Sequence, residues 1–173
     1  MIVRPAVAAE VAQLSELAAL TFPLACPPGS TAADQQAFIA DVLSPERFAS
    51  YLADQDRAVL VAVDGTLVGY TMLVFSPPTD PDVRAALTLA PSVELSKCCV
   101  HPDHHGAGVA HALMSASLEV ARERAAAAMW LGVNQQNARA RAFYERSGFA
   151  VVGTKHFTVG SRIEDDFVLE RPL

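Results

Sequence analysis

Val100-His101-Pro102-Asp103-His104-His105-Gly106-Ala107-Gly108-Val109-Ala110 is the stretch on which the fold of this 173-residue chain turns. Val93–Val100 ahead of it reads as a strand, and Pro102 discourages helix at His101. Gly106 and Gly108 then let the backbone turn sharply with no side chain in the way. Val109, Leu113, Ala116 and Val120 follow at helical spacing, so a helix over Gly106–Arg124 is expected. A glycine turn opening a helix offers unpaired N–H groups and the positive end of the helix dipole. That is an anion site, and a pyrophosphate is its natural guest. The same pattern also fits a flexible loop before an ordinary helix, because such glycine pairs are common.

Downstream, Ala128–Val133 reads as a strand and Asn137–Ser147 as a helix stopped by Gly148. Two strands near Phe149–Phe157 and Ile163–Leu169 close the chain. Upstream, Val59–Val63 and Leu67–Val74 flank Asp64-Gly65, which suits the positive φ angles of a hairpin turn. Ser76–Pro91, with four prolines, reads as an irregular connector. Ile2-Val3-Arg4 begins the chain as a short strand. Within Val7–Thr21, the residues Val11, Leu14, Leu17 or Ala18, and Thr21 have the spacing of a helix with one buried face. Pro23, Pro27, Pro28 and Gly29 break it. Phe38, Ile39, Val42 and Leu43 mark a second helix over Ala32–Leu43, and Ser44-Pro45-Glu46 starts a third. This order predicts an α/β fold in one domain, residues 1–173, with a mixed central sheet of about six to seven strands flanked by helices. The ligand site is expected in the strand–helix–strand half.

Nineteen acidic against thirteen basic residues leave a formal charge of −6. With no Lys/Arg run, neither nucleic acid nor a membrane is expected as a partner. Met1–Pro5 lacks the pattern of a signal peptide and no apolar run spans a bilayer, so a cytoplasmic location is expected. Cys26, Cys98 and Cys99 are odd in number and two are adjacent, which suits a reducing compartment.

Taken alone, Asn137 fits an N-cap, Ala140, Phe143, Tyr144 and Ser147 a buried stripe, and Gly148 a C-terminal stop. Taken with the glycine turn, the chain resembles the GNAT superfamily of acyl-CoA-dependent N-acyltransferases. That family carries Arg/Gln-x-x-Gly-x-Gly/Ala after one strand and Asn-x-x-Ala-x-x-φ-Tyr, then Gly-Phe, after another. Here His105-Gly106-Ala107-Gly108-Val109-Ala110 matches the first. Asn137-Ala138-Arg139-Ala140-Arg141-Ala142-Phe143-Tyr144 and Gly148-Phe149 match the second. The resemblance covers roughly residues 57–170.

The resemblance implies a GNAT-type fold and acetyl-CoA as acyl donor. It implies contacts to that donor from Cys98, Cys99, Val100, His105, Gly106, Ala107, Gly108, Val109, Ala110, Asn137 and Tyr144. It further implies direct attack by a primary amine, with backbone N–H groups near Val100 polarising the thioester carbonyl. Tyr144 matches the tyrosine that donates a proton to the coenzyme A sulfur, though a core aromatic would look the same. Glu94 matches a position where several members carry the base, and equally fits an exposed or salt-bridged strand residue. Strand alternation is expected to put Glu94, Ser96, Cys98 and Val100 on one face. His105 departs from the family's Arg or Gln, and a neutral imidazole there supplies less positive charge.

Trp130-Leu131-Gly132-Val133, Val159-Gly160, Asp166, Thr21-Phe22 and Ser44-Pro45-Glu46-Arg47 look like the bacterial polyamine (spermidine/spermine) N-acetyltransferase branch. A polyamine acceptor is what that implies, with Asp34, Asp41, Glu46 and Asp166 as candidates to meet a cation or as plain surface charges. A protein N-terminus, an aminoglycoside or an amino acid are alternative acceptors. A non-catalytic CoA-binding sensor is the alternative function, and relatives of this type suggest a homodimer. Cys98, Cys99, His101, His104 and His105 raise the idea of a metal site, but no C-x-x-C pair accompanies them and none is expected.

Overall fold

In the computed structural model, which describes residues 1–173, seven strands form one sheet. The chain begins with β1 (Ile2–Pro5), then α1 (Val11–Ala25), α2 (Ala32–Val42) and α3 (Pro45–Ala53). The hairpin β2 (Arg57–Asp64) and β3 (Thr66–Val74) follows, then α4 (Pro81–Ala86), β4 (Ser92–Val100) and α5 (Val109–Glu123). The end is β5 (Ala128–Asn134), α6 (Ala138–Arg146), β6 (Ala150–Val159) and β7 (Arg162–Pro172). The spatial order is β1-β2-β3-β4-β5-β7-β6. Only β4 and β5 run parallel, as the intervening helix α5 requires. No helix is long and apolar enough to cross a membrane.

Both faces of the sheet are covered. On one, α5 buries Val109, Leu113, Met114, Ser117, Leu118 and Ala121, a three-and-four spacing that makes a single stripe. That stripe packs on Leu60, Val68, Leu73, Leu95, Met129 and Leu131. The Thr71 and Ser117 hydroxyls satisfy each other there at 2.9 Å. On the opposite face, Leu14, Leu17 and Ala18 of α1 and Phe48 of α3 pack on Val59, Val61, Tyr70 and Met72. The third helix begins as read: the Ser44 hydroxyl accepts from the Arg47 N–H at 3.2 Å and Pro45 takes the first turn.

Three sequence expectations are corrected. The connector Ser76–Pro91 contains α4, started by Asp80, whose side chain accepts from the Asp82 N–H, and by Pro81. Its Val83 is buried against Trp130 and Val168. Pro23 does not end α1, which continues to Ala25. And α5 starts at Val109 rather than Gly106, because Gly106 (φ 82°) and Gly108 (φ 81°) are left-handed and cannot continue a right-handed helix.

A fourth correction reshapes the site. Met72 pairs with Lys97 but Leu73 pairs with Leu95, so Ser96 is an extra residue, a β-bulge in β4. Alternation restarts after it. Val93, Leu95 and Cys98 pack on the α5 side, whereas Cys99 packs with α1 and α3. Glu94, opposite Val74 and Trp130, lies on the face away from α5. The expected single face of Glu94, Ser96, Cys98 and Val100 is therefore split in two.

Candidate active site

Pairing between β4 and β5 covers only Ser92–Glu94 against Ala128–Trp130, although β4 continues to Val100 and β5 to Asn134. Past the bulge the two strands part. A cleft of about 680 Å³ fills the gap and reaches the glycine turn, Tyr144, Glu94 and Asp166. The ladder to β3 alternates, and the His101 N–H donates to the Val68 carbonyl. The N–H groups of Cys98 and Val100 are then the ones turned from β3 toward the gap.

At the outer end, the amides of Gly106, Gly108, Val109, Ala110 and His111 donate to no backbone carbonyl, and no side chain caps the start of α5. Beyond the adjoining residues, no atom lies within 4 Å of where a Cβ would stand on Gly106 or Gly108. Five unpaired donors around open space at a helix N-terminus fit a pyrophosphate. The His105 ring folds back on β4, its Nε2 at 3.0 Å from the Val100 carbonyl oxygen and its Nδ1 at 3.2 Å from Arg139 Nη2.

Helix α6 brings in the second motif. The Asn137 side-chain oxygen accepts from the Ala140 N–H at 3.1 Å, so this residue is a helix cap, its amide nitrogen remaining free to donate. Tyr144 lines the cleft with its ring edge-on to Phe143 and Phe149. Burial, with the Cys98 and Cys99 thiols nearby, raises its phenol well above the usual value, and no side chain hydrogen-bonds its hydroxyl. Burial also pushes the Cys98 thiol up to about 12 and raises Cys99. The two cysteines lie on opposite faces of β4, and no three His, Cys, Asp or Glu side chains form a metal cage.

Beyond the parted strands is a floor of four charges. Burial raises the Glu94 carboxyl, partly offset by Lys97, Lys155 and Arg57. Burial lowers the Lys97 ammonium. Lys155 stands 3.8 Å from Asp166, whose carboxyl burial pushes up to about 6. The other Asp166 oxygen, Oδ1, is buried with no hydrogen-bond partner. Gly132 makes the room: a Cβ there would stand 2.5 Å from Lys155 Cε. The adjoining wall is aromatic, with Phe22 stacked on Phe38 at 4.4 Å and Phe38 edge-on to Phe157 at 5.8 Å. Asp34, Asp41 and Glu46 are not part of the cleft lining.

Sequence reasoning missed Lys97, Lys155 and the three phenylalanines. Lys97 follows a bulge that alternation does not anticipate. Phe22, Phe38 and Phe157 come from α1, α2 and β6, which only the fold brings together. The glycine of Trp130-Leu131-Gly132-Val133 was the available signal, since glycine within a strand marks a close approach by another group.

The seven-stranded sheet split between two parallel strands, with two helix starts at the split, is the fold of the acyl-CoA-dependent N-acyltransferases. Residues 13–149 match the family model described as Acetyltransferase (GNAT) family. The chain belongs to the GNAT acetyltransferases; it is an N-acetyltransferase with acetyl-CoA as co-substrate. An uncharacterized N-acetyltransferase of Mycobacterium tuberculosis (strain H37Rv) is 43% identical over 162 residues, covering 93% of this chain and 96% of the relative. Streptothricin acetyltransferase of Streptomyces lavendulae is 35% identical over 101 residues, 58% of this chain and 48% of that one. The PaiA N-acetyltransferase of Thermoplasma acidophilum, solved with coenzyme A, superposes with a TM-score of 0.78 at 18% identity, covering 99% of this chain and 98% of that chain. This last likeness is one of fold.

Proposed function

We propose that the chain acetylates the primary amine of a small molecule by direct attack within a ternary complex. The parting of β4 from β5 carries this reading: it links the phosphate cradle to a charged, aromatic-walled floor through one gap lined by Tyr144. Acetyl-CoA supplies an acyl group activated as a thioester. The N–H groups of Cys98 and Val100 are oriented to receive the negative charge that grows on a carbonyl oxygen. Tyr144 carries its proton at neutral pH, as a phenol does, and lines the gap, so it is placed to protonate a departing thiolate. Glu94 takes the proton that the attacking amine loses, its buried carboxyl holding protons more tightly than an exposed one does. Cys98 and Cys99 are held as neutral thiols, which supports direct attack over an acyl-cysteine.

The floor favours a monoamine. Glu94 and Asp166 are matched by Lys97 and Lys155, so a polycation gains no net attraction there. Phe22, Phe38 and Phe157 favour an amine with an apolar or flat body. Both features weigh against the polyamine suggested by the short strings around Gly132.

The test is acetyl-CoA with a panel of aromatic and aliphatic monoamines, spermidine, an aminoglycoside, amino acids and a peptide with a free N-terminus, following thiol release and product mass. Turnover should be fastest with apolar monoamines. A protein that binds acetyl-CoA yet releases thiol with none of them is a sensor, and the enzymatic reading fails.

A further inference from the structure

No lysine or arginine occurs between Lys97 and Arg122, so the phosphate cradle carries no permanent positive charge of its own. Where the family motif has Arg or Gln, this chain has His105. Two contacts define what that ring does. A carbonyl oxygen only accepts, so Nε2, 3.0 Å from the Val100 oxygen, carries the proton. A guanidinium only donates, so Nδ1, 3.2 Å from Arg139 Nη2, is the bare nitrogen. Both bonds hold together only for the neutral ring. Its two partners dictate the tautomer.

Arg139 makes no ion pair, whereas Arg141 on the same helix pairs with Glu145 at 2.8 Å. It stands one residue inside α6, exposed, on the lining shared by the cleft and the turn. The charged or titratable neighbours along this rim are His104, His111 and Arg146, which also line the cleft, and Asp103, which is turned toward His101 at 3.9 Å.

We propose that Arg139 is the pyrophosphate-binding cation of this enzyme, held over the cradle by a neutral His105 that ties it to the end of β4. His105 is then a positioning residue. The family's charge has moved from the first residue of the glycine motif to the third residue of the asparagine motif. The two helix starts bind the same anion, one with amides and one with a guanidinium. The proposal rests on acetyl-CoA being the co-substrate, and fails independently of any acceptor.

The test is the dissociation constant by calorimetry, without an amine, for coenzyme A and for dephospho-coenzyme A, which keeps the pyrophosphate and lacks the 3′-phosphate. Losing one charge-assisted contact is worth about 10- to 100-fold in affinity. Arg139→Gln should weaken both ligands by that factor and flatten the salt dependence, with an unchanged melting temperature. His105→Ala should weaken both by a smaller factor. In the Arg139→Gln background, His105→Arg should recover most of the loss, because it returns the charge to the usual position. Equal binding by wild type and Arg139→Gln overturns the proposal. So does a loss confined to coenzyme A, which would place Arg139 on the 3′-phosphate. Failure of the His105→Arg rescue in a folded double variant overturns the transfer of charge between the two motifs.

Discussion

Glu94 and Cys98 occupy one strand yet face opposite sides of the sheet, because the bulge at Ser96 inserts a residue between them. The thiol lies on the α5 side and the carboxylate faces the floor with Lys97, Lys155 and Asp166. On the proposed mechanism, Glu94 as base and Tyr144 as acid then serve different reactants.

That separation predicts distinct defects. Tyr144→Phe should lower kcat by about 10²-fold or more, the usual scale for a lost general acid, with coenzyme A affinity nearly unchanged. Glu94→Gln should lower kcat to a similar degree and remove the low-pH limb of the rate profile. Parallel loss of coenzyme A binding in Tyr144→Phe would assign the ring to packing instead.

Direct attack predicts that neither cysteine is needed as a nucleophile. Cys98→Ser and Cys99→Ser should each keep kcat within about tenfold of wild type, since the thiols are protonated. Intact-mass analysis after mixing with acetyl-CoA alone should show no acetylated protein; a trapped acyl-enzyme would sink the ternary mechanism.

Asp166 predicts a pH dependence of stability. Its folded value of about 6 lies above the ordinary 3.8, so the folded state binds the proton more tightly. Its contribution is fully present below pH 4 and is lost as pH rises through about 6. Asp166→Asn should therefore gain on wild type across that window. Denaturant melts at pH 4, 5, 6 and 7 measure it; a constant difference would mean the carboxyl titrates normally.

Gly132→Ala tests the floor. The new methyl would meet the flexible end of Lys155, so that side chain moves and the fold is kept, with a stability change under about 1 kcal/mol. Displacing Lys155 frees Asp166 and changes the charge balance. The KM for the amine should change several-fold while coenzyme A affinity stays constant; a change in the latter alone would place the floor on the wrong substrate.

The succession of strands and helices along the chain and the two motifs were legible in the sequence because each rests on neighbours along the chain. The turn needs Gly106 and Gly108 at positive φ, α5 needs its apolar spacing, and Asn137 caps the helix three residues away. The enzyme class came from the resemblance that the two motifs together carry, since each alone also fits an ordinary loop or helix cap. Helix α4 was obscured by the prolines around it, one of which starts it.

What only the tertiary structure decided depends on residues far apart in sequence. The bulge in β4 is a mismatch with β3, so no periodicity within β4 reveals it and the face of Glu94 was misjudged. The Lys155–Asp166 pair and the aromatic wall join strands and helices that meet only when the sheet forms. The glycine turn opens α5 with unpaired amides, and His105 at its head is paired with an arginine 34 positions away. Backbone hydrogen bonding follows the local chain; charge placement follows the packing of the whole.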